Sequence, residues 1–199
     1  MDDYRKFLAR ADAWYRGVRE KHPDKVTCTK GCRDCCLGLF DITLLDRDLL
    51  REGVTAADEA TRRDIEFRAG KILEKLRETW PGLGETLDGW TESEIDELCD
   101  ALGPVECPAL GPSGECRLYE HRPLTCRLSG VPVVDLSGEK IYPEGCAKCT
   151  LKADEAPRLD CEKLRRDEAK LLKKHHPRDV GVTLLIPQAL TRRDPGDRE

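Results

Sequence analysis

Apolar residues near the start of the chain recur every three or four positions. Tyr4, Phe7, Leu8, Ala11, Trp14, Tyr15 and Val18 fall on one face of a 3.6-residue period, which predicts an amphipathic helix over residues 2–21 that stops at His22-Pro23. The next helical pattern is short, Leu44 to Arg51, and is expected to end near Gly53. A longer one runs from about Ala56 to Thr79, with Ile65, Ile72, Leu73 and Leu76 on one face and Pro81-Gly82 as its stop. Thr91-Glu92-Ser93-Glu94 has the hydroxyl-x-x-acid spacing of a capping box, in which each side chain satisfies an orphan amide of the first turn. It predicts a helix from about Glu92 to Leu102, closed by Gly103-Pro104. Residues 155–175, with Leu159, Leu164, Leu171 and Leu172 among many charges, predict the last helix.

Between these helices the period changes. Leu37 to Thr43 is a short apolar stretch that fits strand or turn. From Cys107 to Thr150, Gly and Pro punctuate short β-like runs at Gly114 to Tyr119, Val131 to Leu136 and Lys140 to Tyr142, and Ser137-Gly138 supplies a hairpin turn between the last two. Val180 to Ile186 reads as a final strand, and residues 191–199 as a frayed tail. The pattern predicts a mainly α, helix-dominated α+β fold with a small, irregular, hairpin-containing cysteine-rich segment. A chain of 199 residues suits one domain, placed at residues 1–190. Within it lie an N-terminal helix in 1–27, a cysteine-cluster region in 28–150 with a helical insert at about 44–103, and a C-terminal helix and strand in 151–190.

Composition narrows the function. Hydrophobic residues make up 39% and charged residues 37%, with only three Phe, four Tyr and three Trp, so the core is thin in aromatics and metal cross-linking would help it. A net charge of -5 argues against a broad nucleic-acid surface, where Lys and Arg must outnumber acids to displace counterions from phosphate. Met1-Asp2-Asp3-Tyr4-Arg5-Lys6 is no basic leader before an apolar run, and no later stretch nears the roughly 20 apolar residues of a membrane span. A cytoplasmic protein with neither a nucleic-acid nor a membrane partner is expected.

The cysteines change the picture most. Cys28, Cys32, Cys35 and Cys36 crowd into nine residues, and Cys107, Cys116, Cys126, Cys146 and Cys149 follow. In a reducing compartment such clusters more often bind metal than form a disulfide framework, and an odd total of eleven cannot pair completely. A thiolate site needs sulfurs converging within about 2.3 Å of zinc, or comparably close to cluster iron. Cys32-x-x-Cys35 and Cys146-x-x-Cys149 each offer two ligands on a short loop. Cys28, one helical turn before Cys32, and Cys107, Cys116 and Cys126 raise the donors beyond one tetrahedral site. The adjacent Cys35 and Cys36 would not comfortably share a single ion, so either two centres lie side by side or one of the pair is not a ligand. Competing readings are a redox switch, including a vicinal Cys35–Cys36 bond, and small buried hydrophobes. The latter suits Cys99 and Cys161, which stand apart on predicted helices.

Cys-x3-Cys-x2-Cys-Cys at 28–36, Cys107-Pro-Ala-Leu110, and Cys116-Arg-Leu-Tyr119-Glu120-His-Arg122-Pro123-Leu-Thr-Cys126-Arg127 together resemble the YkgJ family of cysteine-cluster proteins, the CxxCxxCC zinc- or iron-chelating domain. The resemblance covers about residues 28–150. It implies chelation by Cys28, Cys32, Cys35, Cys36, Cys107, Cys116 and Cys126, completed from the Cys146/Cys149 pair. Family members are often labelled iron-sulfur oxidoreductases, and the flagellin lysine N-methylase carries a similar motif, so the motif fixes no single reaction. Four thiolates around zinc or an oxidised [4Fe-4S] cluster leave about two negative charges, which Arg33, Arg117, Arg122, Arg127 and Lys148 could offset. Arg122 and Arg127, inside the motif string, are the candidate cofactor-binding residues, and their bland alternative is a solvated charge or a salt bridge to Glu120. Tyr119 is expected in the core, Glu120 is the only site-adjacent carboxylate, and His121, His175 and His176 are not expected to ligate.

The leading expectation is a metal-binding protein holding an iron-sulfur cluster, [4Fe-4S] in form, or zinc. All-cysteine ligation by more than four sulfurs favours iron-sulfur, with a four-cysteine zinc site close behind. An iron-sulfur enzyme, and a metal-handling or interaction module with an unknown protein partner, are the alternatives. No phosphate loop or nucleophile-base pair assigns a reaction.

Overall fold

The computed structural model describes residues 1–28 and 31–191. Helix α1, Asp2–Lys21, has the predicted bounds, with acids in its first turn and Arg19 and Lys21 in its last to suit the helix dipole. Its apolar stripe buries Tyr4, Phe7, Leu8, Ala11 and Val18. Strand β1, Asp41–Thr43, leads into α2, Leu44–Ala56, with Thr43 as the N-cap. Helix α2 does not stop near Gly53 as its sequence predicts. A Cβ at Gly53 would stand 2.7 Å from Cγ of His121, so this glycine admits a side chain against a helix rather than ending one.

Helix α3, Glu59–Thr79, starts three residues late because the Asp58 side chain caps it, accepting from the Thr61 amide at 3.0 Å. Helix α4, Glu92–Asp100, carries the predicted capping box: Thr91 Oγ1 accepts from the Glu94 amide at 3.3 Å, and Glu94 Oε2 accepts from the Thr91 amide at 2.8 Å. In the central segment, α5 is Leu124–Leu128, and β2, Val133–Val134, pairs antiparallel with β3, Lys140–Tyr142. The hairpin turns at Gly138, whose φ of 98° favours glycine.

The run Gly114 to Tyr119 is not a strand. It contributes one isolated bridge, Leu110 to Cys116, before a single 3-10 turn at Tyr119–His121. Helix α6, Cys161–His175, begins later than expected because Asp160 caps it, accepting from the Lys163 amide at 2.9 Å. Strand β4, Thr183–Leu185, pairs antiparallel with β1, Leu184 opposite Ile42. The chain then turns into α7, Ile186–Leu190, where the sequence predicts only a strand end, with Pro187 in its first turn. The architecture is helix-dominated α+β, half helical, with two small two-stranded antiparallel sheets among the described residues. Residues 192–199 of the expected tail lie outside the described residues. No helix among the described residues is long and apolar enough to cross a membrane.

Buried residues form three clusters. The largest joins α1, α2, α6 and α7, with Ile65 and Ala69 of α3. The second is small: Val18, Val26, Val131, Val134, Leu151, Ala153 and Ala156. The third packs the end of α3 and α4 around Leu39, Leu83, Leu87 and Leu185. The helical insert braces the loop that carries Cys107. Arg68 of α3 donates to the carbonyls of Pro108, at 3.3 Å, and Leu110, and Asp64 pairs with Arg117 at 2.6 Å.

Candidate metal centre

The cysteines are far apart in sequence, and backbone pairing brings them together. Residues 36–38 run against 105–107: the Cys107 amide donates to the Cys36 carbonyl at 3.0 Å and the Gly38 amide to the Val105 carbonyl at 2.7 Å. Gly31 and Gly114 both have positive φ, and a Cβ at Gly114 would stand 2.5 Å from the Gly31 carbonyl oxygen. Only glycine lets those loops touch. On the other side, Val26 bridges Cys149, the Thr150 amide donates to the Lys25 carbonyl at 2.9 Å, and Thr27 Oγ1 donates to the Lys148 carbonyl at 3.0 Å.

The result is one cavity of about 860 Å³ lined by Cys28, Cys32, Cys35, Cys36, Cys107, Cys116 and Cys126. Cys146 and Cys149 lie beside it, where a Cβ at Gly130 would meet both Cys146 Sγ, at 3.9 Å, and Cys35 Cβ, at 3.8 Å. Cys99 on α4 packs against the third cluster, and Cys161 is the buried first residue of α6. All eleven cysteines are free thiols. Among the described residues no three Cys, His, Asp or Glu side chains already stand as a metal polyhedron. The backbone supplies the convergence of thiols.

Burial pushes the thiols upward in pKa: Cys107 to about 11, Cys126 well above its ordinary value, and Cys116, Cys146 and Cys149 in the same direction. Cys35 is raised as well, by its hydrogen bond with Cys36 first and by burial second. Desolvated thiols of this kind resist ionising until a cation is present, and thiolates are what bind metal. Soft sulfur donors, with no histidine among them, fit zinc or iron.

Polar neighbours reach individual sulfurs. Tyr15 donates its hydroxyl to Cys28 Sγ at 3.4 Å, and Lys148 Nζ donates to Cys32 Sγ at 3.5 Å. Arg122 lines the cavity with its guanidinium 3.6 Å from the centre of the Tyr119 ring, and its charge favours the thiolates of Cys35, Cys116 and Cys126. Arg127 is used differently. Buried, it pairs with Asp12 at 2.5 Å and donates to the carbonyls of Arg122 and Glu120 at 2.9 and 3.0 Å, which locks the turn before Cys126. The acids that pair with the arginines are Asp12, Asp64 and Glu106.

Tyr119 is not core. It is 56% exposed, because the 3-10 turn directs it outward under Arg122. Glu106 and Glu115, not Glu120, are the carboxylates that line the cavity, and the buried Oε2 of Glu115 has no hydrogen-bond partner. Each stands directly before a clustered cysteine, Cys107 or Cys116, and that is the signal in the sequence that points to them. His121 packs on Gly53, His175 pairs with Asp3 at 3.0 Å and His176 with Asp48 at 2.8 Å, so these three rings are engaged elsewhere.

Comparison with known families bears on what kind of site this is. The matching family is described as CxxCxxCC: Putative zinc- or iron-chelating domain, and it spans residues 27–147. The chain belongs to the CxxCxxCC family. No curated protein and no solved structure matches it. The matched span holds every clustered cysteine except Cys149. CxxCxxCC membership supports metal binding, of the zinc or iron kind, through this cysteine cluster.

Proposed function

We propose that the protein holds an iron-sulfur cluster through thiolates drawn from Cys28, Cys32, Cys35, Cys36, Cys107, Cys116, Cys126, Cys146 and Cys149, as a single cytoplasmic domain over residues 1–190. The observation that carries this reading is the convergence of seven of these cysteines on one cavity of about 860 Å³. More than four cysteines converge there without a histidine, which favours a cluster over the four-ligand closed site of structural zinc. When bound, the cluster supplies electron-transfer or Lewis-acid chemistry. The chain's own residues hold and tune it: Tyr15 and Lys148 donate hydrogen bonds to sulfur, and Arg122 offsets the negative charge from the cavity wall. Arg127 positions the Cys126 turn rather than touching sulfur.

The test is anaerobic purification followed by elemental and sulfide analysis and absorption spectroscopy on one sample. Iron with acid-labile sulfide is the expected result. Zinc alone would overturn the cluster and keep thiolate chelation. A folded, metal-free protein would overturn both.

A further inference from the structure

The nine clustered thiols are not one set. Cys28 and Cys149 pack on the small second cluster, whereas Cys107, Cys116 and Cys126 pack on the main one. The backbone divides them the same way. Residues 25–27 pair with 148–150, and residues 36–38 pair with 105–107. Cys36, Cys107, Cys116 and Cys126 all line the cavity, which Cys28, Cys32 and Cys35 share and Cys146 and Cys149 do not.

We infer that the protein has two four-thiolate centres, an outer one of Cys28, Cys32, Cys146 and Cys149 and an inner one of Cys36, Cys107, Cys116 and Cys126, with Cys35 between them. This deepens the chelation reading and rests on it. Four thiolates around an oxidised [4Fe-4S] cluster, or around one divalent ion such as a cobalt probe, leave about two negative charges, and each set has its own nearby cations. Lys148 donates to Cys32 and Arg19 to the Cys28 carbonyl at 3.1 Å on the outer side. Arg122 lines the cavity with Cys116 and Cys126 on the inner side. Cys35 lines the cavity too and, with Cys146, stands within reach of a Cβ at Gly130, so it lies at the seam.

The full chain, reduced and metal-free under anaerobic conditions, is titrated with cobalt(II), and uptake is read by thiolate-to-cobalt absorption and by elemental analysis after dialysis. About two ions per chain are expected, each in a tetrathiolate environment. Cys149→Ser and Cys116→Ser should each bind about half as much, losing the outer and the inner centre respectively. Iodoacetamide labelling of the wild type at one equivalent, read by intact-protein fragmentation, should show protection in blocks of four drawn from one set. That measurement decides the matter even where a variant fails to fold. A single ion per wild-type chain, or a first ion that protects thiols from both sets together, would overturn the two centres while leaving chelation standing. No uptake at all would overturn the chelation reading itself.

Discussion

A buried carboxylate pair gives the fold a pH dependence that can be worked out from its contacts. Asp46, at the start of α2, is 3% exposed; it accepts the Tyr4 hydroxyl at 2.6 Å and the Leu124 amide at 3.0 Å, tying α1 and α2 to the turn that carries Cys126. Glu168 of α6 approaches the same hydroxyl at 3.5 Å and the Thr43 hydroxyl at 3.3 Å. Burial and then the charge of Asp46 push Glu168 up to about 7, and burial pushes Asp46 up to about 6. In the unfolded chain both titrate near pH ~4. Between about pH 4 and pH 7 the folded protein therefore keeps protons that the unfolded chain has released, and stability falls as pH rises through that window. One pKa unit is worth about 1.4 kcal/mol, so the Glu168 shift bounds its contribution at about 3 kcal/mol, and partial exposure reduces this to roughly 1–2 kcal/mol. Glu168→Gln keeps an acceptor for Tyr4 and Thr43 and removes the second charge. It should match the wild type near pH ~4 and exceed it by about 1–2 kcal/mol at about pH 8. Urea unfolding of both proteins, equally metal-loaded at each pH, measures the difference with the metal contribution cancelled. Parallel stability profiles, or a less stable variant at the alkaline end, would refute the shared-pair reasoning.

Other perturbations address the site and its frame. Cys32→Ala and Cys126→Ala should each lower bound metal by about half or more and destabilise the fold, while Cys99→Ala, whose thiol packs in the third cluster, should leave metal content unchanged. Equal loss at Cys99 in elemental analysis would break the ligand assignment. Gly53→Ala sets a methyl against the His121 ring and should cost about 1–3 kcal/mol in urea unfolding, recovered in part by His121→Ala, with no recovery counting against the close-approach argument. Arg122→Ala should weaken metal affinity about 10-fold or more in competition with a chromophoric chelator, because it removes one of the two arginines that line the cavity. Metal removal should strip hydrogen-exchange protection from the Cys149 and Thr150 amides before those of α2; simultaneous loss would contradict a metal-dependent second cluster.

Periodic and capped elements are legible in the sequence, and elements set by distant contact are not. The stripe from Tyr4 to Val18 and the Thr91–Glu94 box rest on neighbours within a few residues, so local pattern suffices. Gly53 misleads because a glycine that stops a helix and a glycine that admits His121 look alike without the partner. Helix α7 is hidden by its burial: all five residues from Ile186 to Leu190 are inside, so the segment shows no polar face to reveal a period. At the site, cysteines announce themselves by residue type, and seven of the nine proposed ligands line one cavity. Tyr15 reads as one more helix-face aromatic, and its reach to Cys28 depends on the chain folding back after Pro23. Glu120 looks the better site carboxylate than Glu115 because spacing cannot tell which of them a 3-10 turn will point outward.

The position of the thiols also explains how a chain with so few aromatics holds three small cores together. The second cluster contains four valines or leucines on the central and N-terminal segments, Val26, Val131, Val134 and Leu151, with Val18 and two alanines, too little apolar surface to stand by itself. It joins the main core along α1, where Trp14 packs on both, and along β2, where Val133 belongs to the main core and Val134 to the second cluster. The third cluster reaches the same loops from the other side, through Leu39 and Val105, which flank Cys36 and Cys107 in sequence. Thiols at that junction do more than bind. Metal ligation there would tie the second cluster more firmly to the other two, because ligand binding to the folded state alone adds directly to its stability. In the two-centre arrangement that we infer, the Cys35-Cys36 pair lies between the sets, with Cys36 joined by backbone to Cys107 and Cys35 beside Cys146 at Gly130.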